Sequence, residues 1–219
     1  GVERTHGFLT AQHAALQHEF PQLDDDIDMP MFPVFALNNL ARGIPSVIPV
    51  MDFRHVDRVD ASTVAAQMRR NRVTTCTASP PFLDRVAQYQ KQHSHNGHRL
   101  RRNLTGGAPV SDRQLTAWRG IWPETQLLVV YGSTEAEPVA HVEADQRLNL
   151  TKSAVCKASG YCVGKPSALV QLRVVRIHRG PISLDDDGWN AWEVPPGEAG
   201  ELIVSGSHVA RRYFQDPTA

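Results

Sequence analysis

The sequence has neither an excess of one charge nor a long hydrophobic run. Its 219 residues contain 23 Lys plus Arg and 23 Asp plus Glu, so the formal net charge is zero. Proteins that bind nucleic acids usually carry a basic excess or a basic face, and the balance here argues against such a partner. No apolar run approaches the roughly 18 residues that a membrane-spanning helix needs, so we expect no membrane span.

Cysteine is also scarce, with only Cys76, Cys156 and Cys162 in the chain. Three cysteines cannot form a fully paired disulfide framework, and their spacings match no common zinc pattern. Reduced thiols in a soluble, cytoplasmic protein are the expectation. Acidic residues occur in short runs at 24–28 and 185–187, but these runs lack the alternation of a calcium-binding loop. We expect them to be solvated turns.

What the sequence does contain is the regular alternation of strand and helix patterns. The 41% hydrophobic and 21% charged content is typical of a globular domain. Apolar periodicity, capping residues and prolines predict helices over 5–18, 31–43, 61–71, 80–92 and 111–118. Compact β-branched or apolar runs predict strands over 46–50, 73–77, 100–105 and 126–131. This order predicts an α/β fold with mostly parallel sheets flanked by helices.

The pattern changes after about residue 165. Residues 169–177 alternate like a half-buried strand, and residues 201–204 repeat that pattern after a Pro-Pro-Gly turn. We therefore expect residues 1–165 to form α/β subdomains and residues 166–219 to begin a β-rich, more antiparallel subdomain.

Two polar, glycine-containing segments follow predicted strands, and open α/β sheets bind ligands at the carboxyl ends of their strands. The first is Gly106-Gly107-Ala108-Pro109, and the second is Tyr131-Gly132-Ser133-Thr134-Glu135. Glycines allow a ligand to approach the backbone closely, while hydroxyl groups beside a carboxylate suit phosphate and Mg²⁺. The residues of the second segment could instead have purely structural roles. Tyr131 would then be a core aromatic, Thr134 a helix N-cap and Glu135 an acid in the first turn of a helix.

The order of these motifs resembles that of the adenylate-forming superfamily of acyl-CoA synthetases, adenylation domains and luciferases. The resemblance begins with Thr5-His6-Gly7, continues through the two segments above, and ends with Gly197-Glu198-Ala199-Gly200-Glu201-Leu202. Residues 31–37, 48–52, 135–139 and 162–166 are similar to the bacterial fatty-acid ligase branch that includes the olefin β-lactone synthetases. One departure is that Ala210-Arg211-Arg212-Tyr213 stands where the family usually has Gly-Tyr, which puts the local turn in doubt.

The resemblance implies a function and a set of residue roles. It implies that ATP and Mg²⁺ activate a small-molecule carboxylic acid, long-chain fatty or β-hydroxy, as its acyl-AMP, which is then passed to coenzyme A or closed to a β-lactone. Gly106, Gly107, Ala108 and Pro109 would line the adenine side, and the ring of Tyr131 would pack against the base. Gly132 and Ser133 would border the acyl pocket, Thr134 would bind phosphate, and Glu135 would hold Mg²⁺.

The same resemblance implies that the chain is an internal part of a longer enzyme. The family's phosphate loop would precede residue 1, while its ribose-binding aspartate and the C-terminal domain with the catalytic lysine would follow residue 219. We therefore expect the chain alone to be inactive. The alternative is a non-catalytic nucleotide-binding remnant in which Thr134 and Glu135 persist through common descent. The sequence does not indicate an oligomeric state.

Overall fold

Six strands form one sheet in the order in which they occur along the chain. The computed structural model describes residues 1–93, 100–152 and 160–216. The strands are β1 (Asp28–Pro30), β2 (Thr75–Ala78), β3 (Arg102–Thr105), β4 (Gln126–Tyr131), β5 (Ala140–Glu143) and β6 (Lys165–Pro166). β1 to β4 pair in parallel, whereas β5 is antiparallel to both β4 and β6. The predicted α/β fold with a mostly parallel sheet is confirmed.

Helices cover both faces of this sheet. They are α1 (His6–Glu19), α2 (Pro33–Arg42), α3 (Ala61–Arg70), α4 (Pro80–His93), α5 (Asp112–Ile121) and α6 (Ala144–Lys152), with 3₁₀ turns at Val56–Arg58 and Gly188–Ala191. Local chemistry explains several boundaries, since Thr5 and Asp60 cap α1 and α3 with their side chains. α2 ends at Gly43, whose φ of 69° is the left-handed conformation that glycine adopts at little cost.

The side chains of β4 alternate between the two faces and so divide the core. Leu127 and Val129 belong to the larger cluster, with residues of α3, α4 and α5. Leu128 and Val130 pack on the other face with Leu16 and Phe20 of the α1 region and with Phe35 of α2. β4 is therefore central, and its carboxyl end is fixed from both sides.

A separate two-stranded antiparallel sheet follows, made of β7 (Gln171–Val175) and β8 (Glu201–Ser205). It confirms the predicted antiparallel region. Antiparallel pairing also occurs earlier than predicted, because β5 and β6 already run against their neighbours within the first sheet.

The strand predicted over 46–50 is wrong. Ser46 forms only an isolated bridge to Asp28, and the strand at this edge of the sheet is instead β1. The Val47 amide still donates to the Asp28 carbonyl at 2.8 Å, but beyond it the backbone bonds to a side chain. The Val50 amide donates to Gln67 Oε1, and Gln67 Nε2 donates to the Ile48 carbonyl. Pro49 also lacks an amide for a strand ladder.

The prediction of a solvated acidic turn over 24–28 is wrong for Asp26 and Asp28, which are 5% and 4% exposed. Asp28 accepts hydrogen bonds from Asn39 Nδ2 at 2.7 Å and Thr75 Oγ1 at 2.9 Å. Burial raises the pKa of its carboxyl group in spite of these bonds. These partners lie 11 and 47 residues away, so the sequence pattern did not reveal them.

Within the described residues, no helix is long and apolar enough to cross a membrane. Cys76 and Cys162 are free thiols, and Cys76 is buried in the core. Cys156 lies outside the described residues.

Candidate functional site

The carboxyl ends of β3 and β4 bring the two predicted segments to one edge of the sheet. These strands are parallel neighbours, with Thr105 opposite Val129. Gly106 follows β3 directly and packs against the end of β4, since a Cβ built on it would lie 2.5 Å from the Val130 carbonyl oxygen. Only a residue without a side chain allows this close approach.

The segment Gly106–Pro109 forms a short, largely exposed surface between β3 and α5. Gly106 is buried, whereas Gly107, Ala108 and Pro109 are exposed. Gly107 has a φ of 76°, and a Cβ on it would lie 3.4 Å from the ring of Phe32. The segment leads to Ser111, which starts α5 with a complete capping box. A defined backbone surface therefore faces outward beside the end of β4.

The segment Tyr131–Glu135 is a tight loop closed by its own hydrogen bonds. The Ser133 amide donates to the Ala136 carbonyl at 2.8 Å, and the Ala136 amide donates back to Ser133 at 3.2 Å. The Ser133 hydroxyl accepts from the Glu135 amide at 3.2 Å. A Cβ on Gly132 would lie 2.8 Å from the Ala136 carbonyl oxygen, so the loop also depends on this glycine.

The structure excludes the purely structural roles considered for Tyr131, Thr134 and Glu135. Tyr131 is 41% exposed and is not a core aromatic. Thr134 and Glu135 belong to a non-helical loop, and the next helix, α6, begins only at Ala144. Thr134 is therefore no helix N-cap, and Glu135 is not in a first helical turn.

Distant parts of the chain hold this loop in place. Arg4 donates from Nη2 to the Thr134 carbonyl at 2.9 Å, and the Ala210 amide donates to the Glu135 carbonyl at 2.7 Å. Gln12 of α1 donates from Nε2 to the Glu137 carbonyl at 3.2 Å. These contacts were not predictable from the sequence, because they join residues far apart in the chain that share no motif.

The pKa values of two neighbouring carboxyl groups, Glu135 and Glu137, are shifted in opposite directions. Hydrogen bonds from Ser133 and then Tyr213 lower the pKa of Glu135. Desolvation raises the pKa of the half-buried Glu137 to about 7, although Arg4 partly opposes this. Neighbouring acids whose pKa values are pushed apart are common at functional sites. No role was predicted for Glu137 from the sequence.

Glu135 has the properties that a hard cation requires. Its lowered pKa keeps it ionised at neutral pH, and an ionised carboxylate offers about four acceptor positions. The hydrogen bonds from Ser133 and Tyr213 use only part of that capacity. In the described part of the chain, no three His, Cys, Asp or Glu side chains converge on one point, so any metal at Glu135 would need other ligands such as substrate phosphate and water.

The chain is an α/β protein with exposed, glycine-containing loops at the carboxyl ends of adjacent parallel strands, and such folds bind ligands at this edge. The sequence model of the family described as AMP-binding enzyme matches residues 1–214. The chain belongs to this family.

Curated relatives match over the full length of the chain. Olefin beta-lactone synthetase of Stenotrophomonas maltophilia (strain K279a) is 31% identical over 220 residues, covering 100% of this chain and 38% of the relative. Feruloyl-CoA synthase of an Amycolatopsis species is 27% identical over 230 residues, covering 100% of this chain and 40% of the relative. The chain thus spans about two fifths of the length of these relatives.

Solved structures match the fold. A long-chain-fatty-acid-CoA ligase from Archaeoglobus fulgidus superimposes with a TM-score of 0.73 at 21% identity, covering 98% of this chain and 41% of that one. O-succinylbenzoate coenzyme A synthetase from Bacillus subtilis, solved in complex with AMP, gives a TM-score of 0.72 at 18% identity, covering 98% and 39%. At these identities the likeness concerns the fold alone.

Proposed function

We propose that the protein activates a carboxylic acid with ATP, forming an acyl-AMP, and that this chain supplies one wall of the nucleotide site. The observation that carries the proposal is the shared edge of β3 and β4. There, the exposed residues 107–109 follow β3, and its parallel neighbour β4 ends at the exposed Tyr131, four residues before the anchored, ionised carboxylate of Glu135. Membership of the AMP-binding enzyme family supports the same ligand.

Each residue has a role in this proposal. Gly106, Gly107, Ala108 and Pro109 line the adenine side, where the backbone can approach a planar base closely. Tyr131 packs its ring on the base, a contact that contributes about 0.5–1.5 kcal/mol beyond burial. The exposed Thr134 hydroxyl donates to phosphate, and Glu135 holds Mg²⁺.

The reaction joins two anions, and this sets the chemical requirement of the site. A carboxylate oxygen of the acid attacks the α-phosphorus of ATP, a C–O–P linkage forms, and the bond from the α-phosphorus to the bridging oxygen breaks to release pyrophosphate. When bound, Mg²⁺ offsets the charge between the reacting groups. The rigid loop around Glu135 keeps its carboxylate in a fixed position, so little reorganisation is needed during the reaction.

We propose a long-chain fatty or β-hydroxy acid as the substrate, with thioester formation on coenzyme A or β-lactone formation as the next step. The name of one relative supports this class, since it is an olefin beta-lactone synthetase. Gly132 and Ser133 border the acyl pocket in this proposal. A larger residue at 132 would collide with the Ala136 carbonyl and with Glu137 before it could shorten the pocket.

The proposal assigns the remaining chemistry to residues outside this chain. Residues 1–165 and 166–219 form parts of the large N-terminal domain of a cytoplasmic enzyme. The phosphate loop, the ribose-binding aspartate and the catalytic lysine lie elsewhere in that enzyme, and the isolated chain is inactive. The length of the relatives, of which the chain covers 38–40%, supports this division.

The direct test is to incubate the full-length protein with Mg-ATP and a panel of acids, and to detect acyl-AMP by mass spectrometry. We expect acyl-AMP with long-chain or β-hydroxy acids and less with short ones. Calorimetry with Mg-ATP and a long-chain acyl-AMP analogue addresses the alternative. Binding without acyl-AMP formation from any acid would favour a non-catalytic nucleotide-binding remnant, and absence of both would overturn the nucleotide site.

A further inference from the structure

We propose that Tyr213 is a positioning residue that fixes the carboxylate of Glu135 for metal binding. This inference rests on the proposed function, in which Glu135 holds Mg²⁺. The Tyr213 hydroxyl donates to Glu135 Oε1 at 2.7 Å, across 78 residues of sequence. Tyr213 belongs to the stretch that follows β8, so the contact joins the β-rich region to the loop after β4.

The stretch that carries Tyr213 holds the backbone of Glu135 as well as its side chain. The Ala210 amide donates to the Glu135 carbonyl at 2.7 Å, and Val209 forms a β-bridge with Ala136. Residues 209–213, which we call the clamp segment, therefore contact Glu135 at two points. Two-point attachment restricts both the position of the backbone and the rotation of the side chain.

Tyr213 is itself fixed by the first residues of the chain. It forms a β-bridge with Val2, and the Phe214 amide donates to the Gly1 carbonyl at 2.6 Å. Next to it, Arg212 Nε pairs with Glu3 Oε2 at 2.5 Å. This pair adds a further contact between the clamp segment and the start of the chain.

The chemistry of the contact suits a metal ligand. A phenol donates a single hydrogen bond, and an ionised carboxylate accepts it while keeping acceptor positions free for a cation. Metal-binding carboxylates are commonly oriented by such outer partners. The ring of Tyr213 is partly exposed, and the hydroxyl is the group that reaches Glu135, so removing the hydroxyl alone isolates the proposed role.

The test is the Tyr213→Phe variant of the full-length protein, with Mn²⁺ as a probe for Mg²⁺. Free Mn²⁺ is followed by electron paramagnetic resonance during titration of the protein with its nucleotide bound. Loss of an outer partner typically weakens metal affinity about 10–100-fold, so we expect the Kd for Mn²⁺ to rise roughly tenfold. In steady-state assays the Mg²⁺ concentration for half-maximal rate should rise by a similar factor, with kcat at saturating Mg²⁺ within about twofold.

Two comparison variants distinguish failure of the Tyr213 proposal from failure of the proposed metal site at Glu135. Tyr161→Phe removes the hydroxyl of another exposed tyrosine, whose ring contacts Arg147, and should leave Mn²⁺ affinity unchanged. Glu135→Gln removes the proposed ligand. If Glu135→Gln weakens Mn²⁺ binding but Tyr213→Phe does not, the positioning role of Tyr213 is overturned while the proposed function stands. If neither variant changes binding, Glu135 is not the metal ligand, and both proposals lose their metal site.

Discussion

Replacing Gly106 by alanine tests the close approach on which the candidate site is built. The new Cβ would lie 2.5 Å from the Val130 carbonyl oxygen, and real Cβ contacts shorter than 3.0 Å essentially do not occur. The backbone must therefore shift by at least about half an ångström. Because Val130 lies in central strand β4, paired with both β3 and β5, the shift would disturb hydrogen bonding on both sides.

Overpacking of this kind usually costs about 1–3 kcal/mol, and collision with backbone rather than with a flexible side chain favours the upper half of that range. We therefore expect Gly106→Ala to lower the free energy of unfolding by about 2–3 kcal/mol. The assay is urea unfolding followed by circular dichroism, with the free energy extrapolated to zero denaturant.

Gly120 provides a matched control because it lies in helix α5, where a Cβ built on it would meet no atom of another element within 4 Å. Alanine there should raise the free energy of unfolding by up to about 1 kcal/mol, since glycine is the poorer helix former. The two substitutions are chemically identical and should act with opposite signs. A change within about 0.5 kcal/mol for Gly106→Ala would refute the close packing of Gly106 against β4.

Three further outcomes follow from other residues. Burial raises the pKa of Glu137 to about 7 from the usual 4.5, so ionisation of this carboxyl group destabilises the fold as pH rises between these values. In thermal or urea unfolding, Glu137→Gln should therefore be more stable than the unchanged protein by at most about 3 kcal/mol at pH 8, and equally stable at pH 4.5. Ser111→Ala removes the cap of α5 and should cost about 1 kcal/mol, with no loss in Ser111→Asp. Tyr131→Ala should weaken Mg-ATP binding by about 2- to 10-fold in calorimetry, while Tyr131→Phe should not.

A specific result would contradict each of these three predictions. A pH-independent difference for Glu137→Gln would mean that the carboxyl group is not desolvated. Full stability of Ser111→Ala would show that the capping box contributes nothing to α5. Equal Mg-ATP affinity in Tyr131→Ala would remove the ring from the nucleotide site.

Elements with strong local signals were predictable from the sequence. β4 was predicted at its observed bounds because six consecutive residues suit a buried strand. α5 was predicted to begin after the cap Ser111, as observed, but it extends to Ile121 rather than ending at Trp118. The positions of the two glycine-containing segments at the ends of β3 and β4 were predictable for the same reason, since each follows a predicted strand directly.

The remaining features depend on contacts between distant residues. β1 contains Asp28 and Pro30, which weaken any strand pattern, and it forms because Asn39 and Thr75 satisfy the buried aspartate. The contact between Tyr213 and Glu135 joins two regions that share no sequence pattern. The roles of Gly106 to Pro109 and of Tyr131 to Glu135 toward ATP, acid and Mg²⁺ stay predictions until they are measured.

Acid-dependent exchange of pyrophosphate into ATP is the measurement that tests the central claim most directly, because it reports reversible acyl-AMP formation without any later step. With the full-length protein, Mg²⁺ and a long-chain acid, we expect exchange that depends on the acid and falls more than about tenfold in Glu135→Gln, since a bound metal contributes several kcal/mol to such chemistry. Absence of exchange with every acid, or a near-normal rate in Glu135→Gln, would contradict the account.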